Sequence, residues 1–433
     1  MKSLFKKIIV AIITWEARLV LRKYKPQIVG VTGSVGKTSS KDAIYTVFKS
    51  TFKVRKSDKS FNSEIGIPLT ILGCHNAWSS LGGWIKNIAH GLSLIFFKHT
   101  YPTWLVLEIG ADRPGDIESV SKWLKPDIAV ITRFGKVPVH VEFFKSPEEV
   151  IKEKSYLAQA VKPEGSLILN SDDEDVLALS EKAKCKVITY GIESPADVVA
   201  SNYSIIYQSE TNEALPTGIA FKVDYQGSSV PIALVGSLGK AHIYPILSAI
   251  AAGVSQGVNL ITICDSLIAH KTPPGRMRII EGMKKTAIID DTYNSSPVAV
   301  NEALETLNFI ETKGSKLAVL GDMLEIGKYS VEEHKKVGKK ASEIADVLIA
   351  VGLRARHIAQ GAREAGMSDD KIFEFDKSPE AALKVEKMIK TGDIVLIKGS
   401  QGVRTERIVE AIMANPHHKE KLLVRQDAEW QNR

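Results

Sequence analysis

The segment Gly33-Ser34-Val35-Gly36-Lys37-Thr38, with the β-rich run Ile28–Thr32 before it and helical periodicity over Lys37–Lys49 after it, narrows the fold more than any other feature of the chain. A strand that ends at glycines and turns at once into a helix aims successive backbone N–H groups at one point, at the positive end of the helix. That point suits an anion. Lys37 adds a point charge for β- and γ-phosphates, and the Thr38 hydroxyl can complete the shell of a Mg²⁺ ion. The expected nucleotide contacts are therefore Gly33, Ser34, Val35, Gly36, Lys37, Thr38 and Ser39. The glycines follow GxxGxxGKT, with Val31 where the strict spacing wants glycine. No guanine-reading NKxD occurs, which favours ATP over GTP.

Such a loop belongs in a parallel α/β sheet, and the flanking sequence supplies one. Strands are expected at Ile28–Thr32, Trp104–Ile109, Asp127–Thr132 and Ser166–Asn170, with helices at Lys37–Lys49, Asp116–Trp123 and Pro147–Val161. Alternating runs at Ile219–Tyr225 and Ser229–Val235, around a Gln-Gly turn, predict a small antiparallel appendage. Helices follow at Ala241–Gln256 and Leu260–Ala269. The stretch Thr272-Pro273-Pro274-Gly275-Arg276 reads as a linker. Beyond it a second, Rossmann-like α/β cycle has strands at Ala287–Asp291, Lys316–Leu320, Asp346–Val351, Lys371–Phe375 and Asp393–Lys398. The expected division is a helix over 1–27, a central ATP-binding domain over 28–272, a C-terminal domain over 273–415 and a loose polar tail over 416–433.

The 433 residues are ample for more than one core, and 44% hydrophobic with 25% charged residues excludes a disordered chain. Lys plus Arg (57) less Asp plus Glu (50) gives +7, which permits an anionic partner without choosing one. Nothing in the pattern points to nucleic acid. Three scattered cysteines outside any CxxC pair argue against a disulfide framework or zinc site and fit a reducing cytoplasm.

Two segments stand outside the α/β rhythm. Residues 4–22 are apolar in bulk but carry Lys6, Lys7, Glu16, Arg18 and Arg22, and no cleavage site follows, so an amphipathic helix is expected rather than a signal peptide. Residues 79–103 are likewise apolar and basic. The two either pack on the protein or face a membrane surface; no apolar run approaches the roughly 20 residues of a span.

Seven segments in order, TGSVGKTSSK, FNSEIGIPLTIL, VLEIGADRPGDI, PGRMRII, IIDDTYNSSP, VLGDMLEIG and VLIKGSQGVRTERIVEAI, resemble the Mur ligase family from residue 28 to about 413. Within it they are most similar to the branch that adds D-alanyl-D-alanine to a UDP-muramoyl tripeptide. The resemblance implies an ATP-dependent amide ligase of peptidoglycan precursor synthesis, in which a carboxylate takes the γ-phosphoryl group and an amine opens the acyl phosphate. It implies two Mg²⁺ ions, held by Thr38, Glu108, His140 and a Lys154 carbamylated by CO₂. Nucleotide contacts are implied at His242, Arg276, Asp291 and Tyr293, and substrate contacts at Asn62, Glu64, Asn294, Asp322 and Lys398. Lys37, Lys154 and His140 would carry the catalysis, and a monomer is expected. Arg133 and Ser296 stand where the family usually has asparagine, and Ala241, His242 and Pro245 replace its adenine-reading His-Asn and second Asn.

Only about 27 residues precede the first strand, too few for the UDP-binding domain usual in such ligases. Three readings of that combination stand side by side. The chain extends the same precursor; or it uses a related acceptor, lipid-linked or of folate type; or it is a non-catalytic nucleotide-binding partner subunit.

Overall fold

The computed structural model describes residues 2–58, 61–78, 80–136, 141–208, 215–427 and 430. Among them, two sheets organise the chain. The first contains β1 (Gln27–Thr32), β2 (Val54–Lys56), β3 (Trp104–Glu108), β4 (Ile128–Ile131), β5 (Ser166–Asn170), β6 (Lys186–Gly191), β7 (Val198–Tyr207), β8 (Pro216–Tyr225) and β9 (Ser228–Val235). Their order is β2-β3-β1-β4-β5-β6-β7-β8-β9. Strands β2 to β7 pair in parallel around β1, and β7-β8-β9 close antiparallel. The expected antiparallel appendage is the β7-β8-β9 meander, and it belongs to the central sheet. Its first strand continues the parallel sheet through Tyr190↔Val198 and Gly191↔Val199. Gln226 and Gly227, both at positive φ, make the tight hairpin turn.

The second sheet contains β10 (Arg278–Gly282), β11 (Thr286–Asp291), β12 (Lys316–Gly321), β13 (Val347–Val351), β14 (Ile372–Phe375) and β15 (Ile394–Lys398), in the order β10-β11-β15-β12-β13-β14. All pairs are parallel except the β10–β11 edge. Continuous apolar runs such as WLVL, IAVI and IVLI form strands buried on both faces, as helices on either side require.

Helix α1 (Lys2–Tyr24) buries Ile9, Ile13, Ala17 and Val20, the i, i+4, i+8, i+11 face. It packs on α3 (Gly66–Leu72) and α4 (Leu81–Phe96); α2 (Lys37–Lys49) follows the phosphate loop. Of segment 79–103, residues 80–103 therefore take their place as α4 with its cap and the connection into β3. The expected loose tail is corrected. Leu423 is buried, and Arg425 donates to Glu406 and to the carbonyls of Thr292 and Tyr293. An arginine facing a buried carboxylate fixes this segment where its polar composition predicted solvation.

Candidate active site

The phosphate loop leaves β1 at the point where the chain's path across the sheet reverses, with β3 on one side and β4 on the other. Gly33 has φ +147° and Gly36 has φ +86°, regions that exclude most side chains. A Cβ on Gly33 would lie 1.9 Å from Thr132 Oγ1. That hydroxyl donates to Val35 O at 2.7 Å, and Ser34 N donates to Arg133 O at 2.6 Å, so the end of β4 holds the loop from beneath.

Lys37 opens α2, and its ammonium donates to Gly33 O at 3.0 Å. Burial pushes its pKa down, against the pull of Glu108. Lys154, from the helix Pro147–Gln159, is 2% exposed and donates to Ser34 Oγ at 2.7 Å. Burial and then the neighbouring Lys37 push its pKa well below the ordinary value, towards a neutral amine.

Glu108 ends β3 with its backbone in register with Val31 of β1. Asn62 donates to its Oε1 at 3.4 Å. Its Oε2 is buried without a hydrogen bond, Lys41 Nζ standing at 3.8 Å. A hard, buried carboxylate oxygen lining the same cavity as Thr38 fits Mg²⁺, whose remaining positions phosphate oxygens and water can fill. No cluster of three His, Cys, Asp or Glu side chains occurs among the described residues, so those residues alone do not complete a cage.

The second sheet supplies the facing wall. Asp291 and Lys398 end adjacent parallel strands in register, and Lys398 Nζ donates to Asp291 Oδ2 at 2.6 Å and to Asn294 O at 3.0 Å. Asp291 Oδ1 accepts from Met277 N at 3.2 Å. The Arg276 guanidinium lies 4.1 Å from the Tyr293 ring centroid, with its Nε buried and without a hydrogen bond. His242 is also buried, its Nε2 has no hydrogen bond, and burial lowers its pKa to about 4. A neutral imidazole and an unsatisfied guanidinium N–H, both in a polar cleft, fit a nucleotide's hydrogen-bonding edges.

One cavity of about 660 Å³ joins these parts, within the range of small-molecule sites. It brings together Ser34 to Ser39, Asn62, Glu108, His242, Arg276, Asp291, Tyr293, Asn294 and Lys398. Of the expected residues that are described, Gly33, Lys154, Glu64 and Asp322 do not line it, although Gly33 accepts from Lys37 and Lys154 donates to Ser34, which do. Glu64 is exposed and pairs with Lys6 at 3.1 Å, beside α1. Asp322 accepts from Ala355 N at 2.7 Å, holding the turn after β13 instead of facing the cleft. His140 lies outside the described residues.

The sequence reading missed Lys41, buried one turn beyond Lys37, and the Arg133–Glu302 ion pair, which joins the floor of the loop to the helix Pro297–Phe309. It also missed the wall made by Arg404 and Trp430. Lys41 carried a signal, since i and i+4 share a helix face. The others connect residues too far apart in sequence for any local pattern.

Comparison with known proteins agrees with this geometry. The family model described as Mur ligase middle domain matches residues 86–253, and that described as Mur ligase, glutamate ligase domain matches 275–401. The UDP-N-acetylmuramoyl-tripeptide–D-alanyl-D-alanine ligase of Bacillus subtilis is 29% identical over 401 residues, 92% of this chain and 79% of the relative. That of Mycobacterium tuberculosis H37Rv is 28% identical over 411 residues, 90% of this chain and 73% of the relative. Among solved structures, the MurF ligase of Thermotoga maritima in complex with ADP is similar with TM-score 0.74 and 27% identity, covering 93% of this chain and 83% of that one. A folylpolyglutamate synthase of Mycobacterium tuberculosis shares the fold alone, with TM-score 0.63 and 13% identity over 91% of this chain and 94% of that one.

Proposed function

This chain belongs to the Mur ligase family, ATP-dependent ligases that form amide bonds, and from that premise we propose that it adds D-alanyl-D-alanine to a UDP-muramoyl tripeptide. The observation that carries the reading is one cleft in which the phosphate loop, Glu108 and the Asp291–Lys398 pair converge. The curated relatives, whose names specify this reaction, align over nine-tenths of the chain.

In this reading an oxygen of the tripeptide carboxylate attacks the γ-phosphorus, the bond to ADP breaks, and an acyl phosphate forms. The dipeptide amine then attacks the acyl carbon; the C–N bond forms, phosphate leaves with the carboxylate oxygen, and the amine gives up a proton. The loop N–H groups and Lys37 stabilise charge on the transferring phosphoryl group. Thr38 and Glu108 would hold Mg²⁺, which when bound would supply charge neutralisation at the crowded phosphate oxygens. Arg276, Tyr293 and His242 contact the nucleotide. Lys398 holds Asp291 and the Asn294 carbonyl in place, so Asp291 acts through its position as much as its charge.

Lys154 is taken to react with CO₂ as the neutral amine, losing a proton and becoming a carbamate. The change puts beside Lys37 an anion that would, with His140, hold a second Mg²⁺. The Thr272–Arg276 segment serves as the hinge between units 28–272 and 273–415, and closure about it assembles the site.

The test supplies purified protein with ATP, Mg²⁺, UDP-muramoyl tripeptide and D-alanyl-D-alanine, together and with each omitted, and follows phosphate and product mass. Phosphate release that requires both co-substrates, with the amide-linked product, supports the reading. Release that ignores the dipeptide, or product only with another acceptor, would overturn it.

A further inference from the structure

Helix α4 is amphipathic in an unusual sense: its inner face is apolar, and so is much of its outer one. Trp84, Gly91 and Leu94 face the protein. On the opposite side Leu81, Ile85, Ala89 and Phe96 repeat at helical spacing in solvent, with Trp78 before the helix and Phe97 after it. Phe96 is 73% exposed and Phe97 66%. Isolated exposed apolar groups are ordinary; here Trp78, Leu81 and Ile85 cluster at one end of the helix and Phe96 and Phe97 at the other, with the small Ala89 and the half-buried Ile88 and Leu92 between them, and so large an apolar patch marks a contact surface.

Along this stretch of the sequence the charges have one sign. Residues 75–107 contain no Asp or Glu, while Lys86, His90, Lys98 and His99 are exposed along or just beyond the helix. The patch is also rigidly presented. Lys23 and Tyr24 of α1 donate to the carbonyls of Leu94 and Phe97 at the end of α4, and Tyr24 stacks on Tyr101 with ring centroids 4.6 Å apart. Ser80 caps the other end by accepting from Gly83 N at 3.1 Å.

We propose that the outer face of α4 is a membrane-docking surface that lies on an anionic bilayer. Sixteen residues rise about 24 Å, short of the hydrocarbon core, and no described helix is long and apolar enough to cross a membrane, so the helix lies in the interface. Trp78, Phe96 and Phe97 enter the headgroup–acyl boundary while Lys86 and Lys98 meet lipid phosphates. A second copy is the poorer occupant. A two-fold contact would set this basic stretch against itself. Docking here assigns the membrane role to α4, while α1, whose apolar face lies in the core, is its brace.

Flotation of the full chain with vesicles of phosphatidylglycerol and phosphatidylcholine in equal parts tests the proposal, with pure phosphatidylcholine vesicles as comparison. The chain should float with the anionic vesicles and far less with the neutral ones. Phe96→Asp with Phe97→Asp should lower binding about tenfold or more, and so should Lys86→Glu with Lys98→Glu, through different terms. All four positions are exposed, and unchanged melting temperatures and ligase turnover would verify that each variant is folded. Binding is read independently of catalysis, so failure of the ligase assignment leaves it standing. Absence of flotation, equal binding to neutral vesicles, or self-association in solution that the Phe96/Phe97 variant abolishes would each overturn it.

Discussion

Replacing Glu16 by methionine should stabilise the protein by an amount that depends on pH. Glu16 sits in the middle of α1, fully buried, with neither carboxylate oxygen hydrogen-bonded. A Cβ added at Gly91 of α4 would lie 2.3 Å from its Oε2, which shows how closely the carboxylate approaches that helix. Burial raises its pKa from the ordinary 4.5 to about 7, and it helps push the nearby Cys74 thiol up to about 11. Because the folded value exceeds the unfolded one, the folded state binds the extra proton between pH 4.5 and 7, and stability is lost as pH rises through that window. At about 1.4 kcal/mol for each tenfold change in proton affinity, the penalty reaches about 3 kcal/mol at pH 8 and is under about 1 kcal/mol at pH 5. Methionine matches the length of glutamate without its charge. Urea unfolding of the two proteins at pH 5 and pH 8 should show a gain for Glu16→Met that is larger at pH 8 by about 2 kcal/mol or more. An equal gain at both values, or a loss at pH 8, would refute the reasoning.

Three further outcomes follow from the cleft. Gly33→Ala would place its Cβ on Thr132 Oγ1 in a strained backbone conformation, so ATP affinity measured by calorimetry should fall about tenfold to a hundredfold with the circular dichroism spectrum unchanged. Lys398→Met leaves Asp291 buried without its cation and should cost about 3–5 kcal/mol in urea unfolding, part of which Lys398→Met with Asp291→Leu should restore. Lys154→Ala should abolish turnover and regain some of it with added formate or acetate, and the parent protein should lose activity when CO₂ is depleted; no response to either treatment would remove the carbamate.

The parts of the fold that could be read in the sequence are those where local chemistry dictates the backbone. Gly33 and Gly36 force the loop, and doubly buried strands such as IVLIK announce themselves as unbroken apolar runs. Edge elements carry weaker signals. The strand Arg278–Gly282 has one full strand partner and only single bridges to Ser237 and Met413, and hides behind the Pro-Gly-Arg linker, and Val54–Lys56 is too short to show alternation. The position of Lys37, Thr38 and Glu108 at the cavity was legible because a motif or a strand end fixes where they point. Glu64 and Asp322 were misplaced because a motif match says nothing about which side of a turn faces the cleft. Lys41 was missed because lysine on a helix usually faces water, and only the tertiary approach of β3 makes it a partner of Glu108. Arg133 and Glu302 are 169 positions apart, beyond any local pattern.

The most direct test of the chemistry follows oxygen. With the terminal carboxylate of the UDP-muramoyl tripeptide labelled with ¹⁸O, turnover with ATP and D-alanyl-D-alanine should carry one labelled oxygen into each phosphate released, because the acyl phosphate breaks at carbon. Phosphate free of label, with the isotope retained in the peptide or with water supplying the oxygen, would contradict phosphoryl transfer to the carboxylate in this cleft.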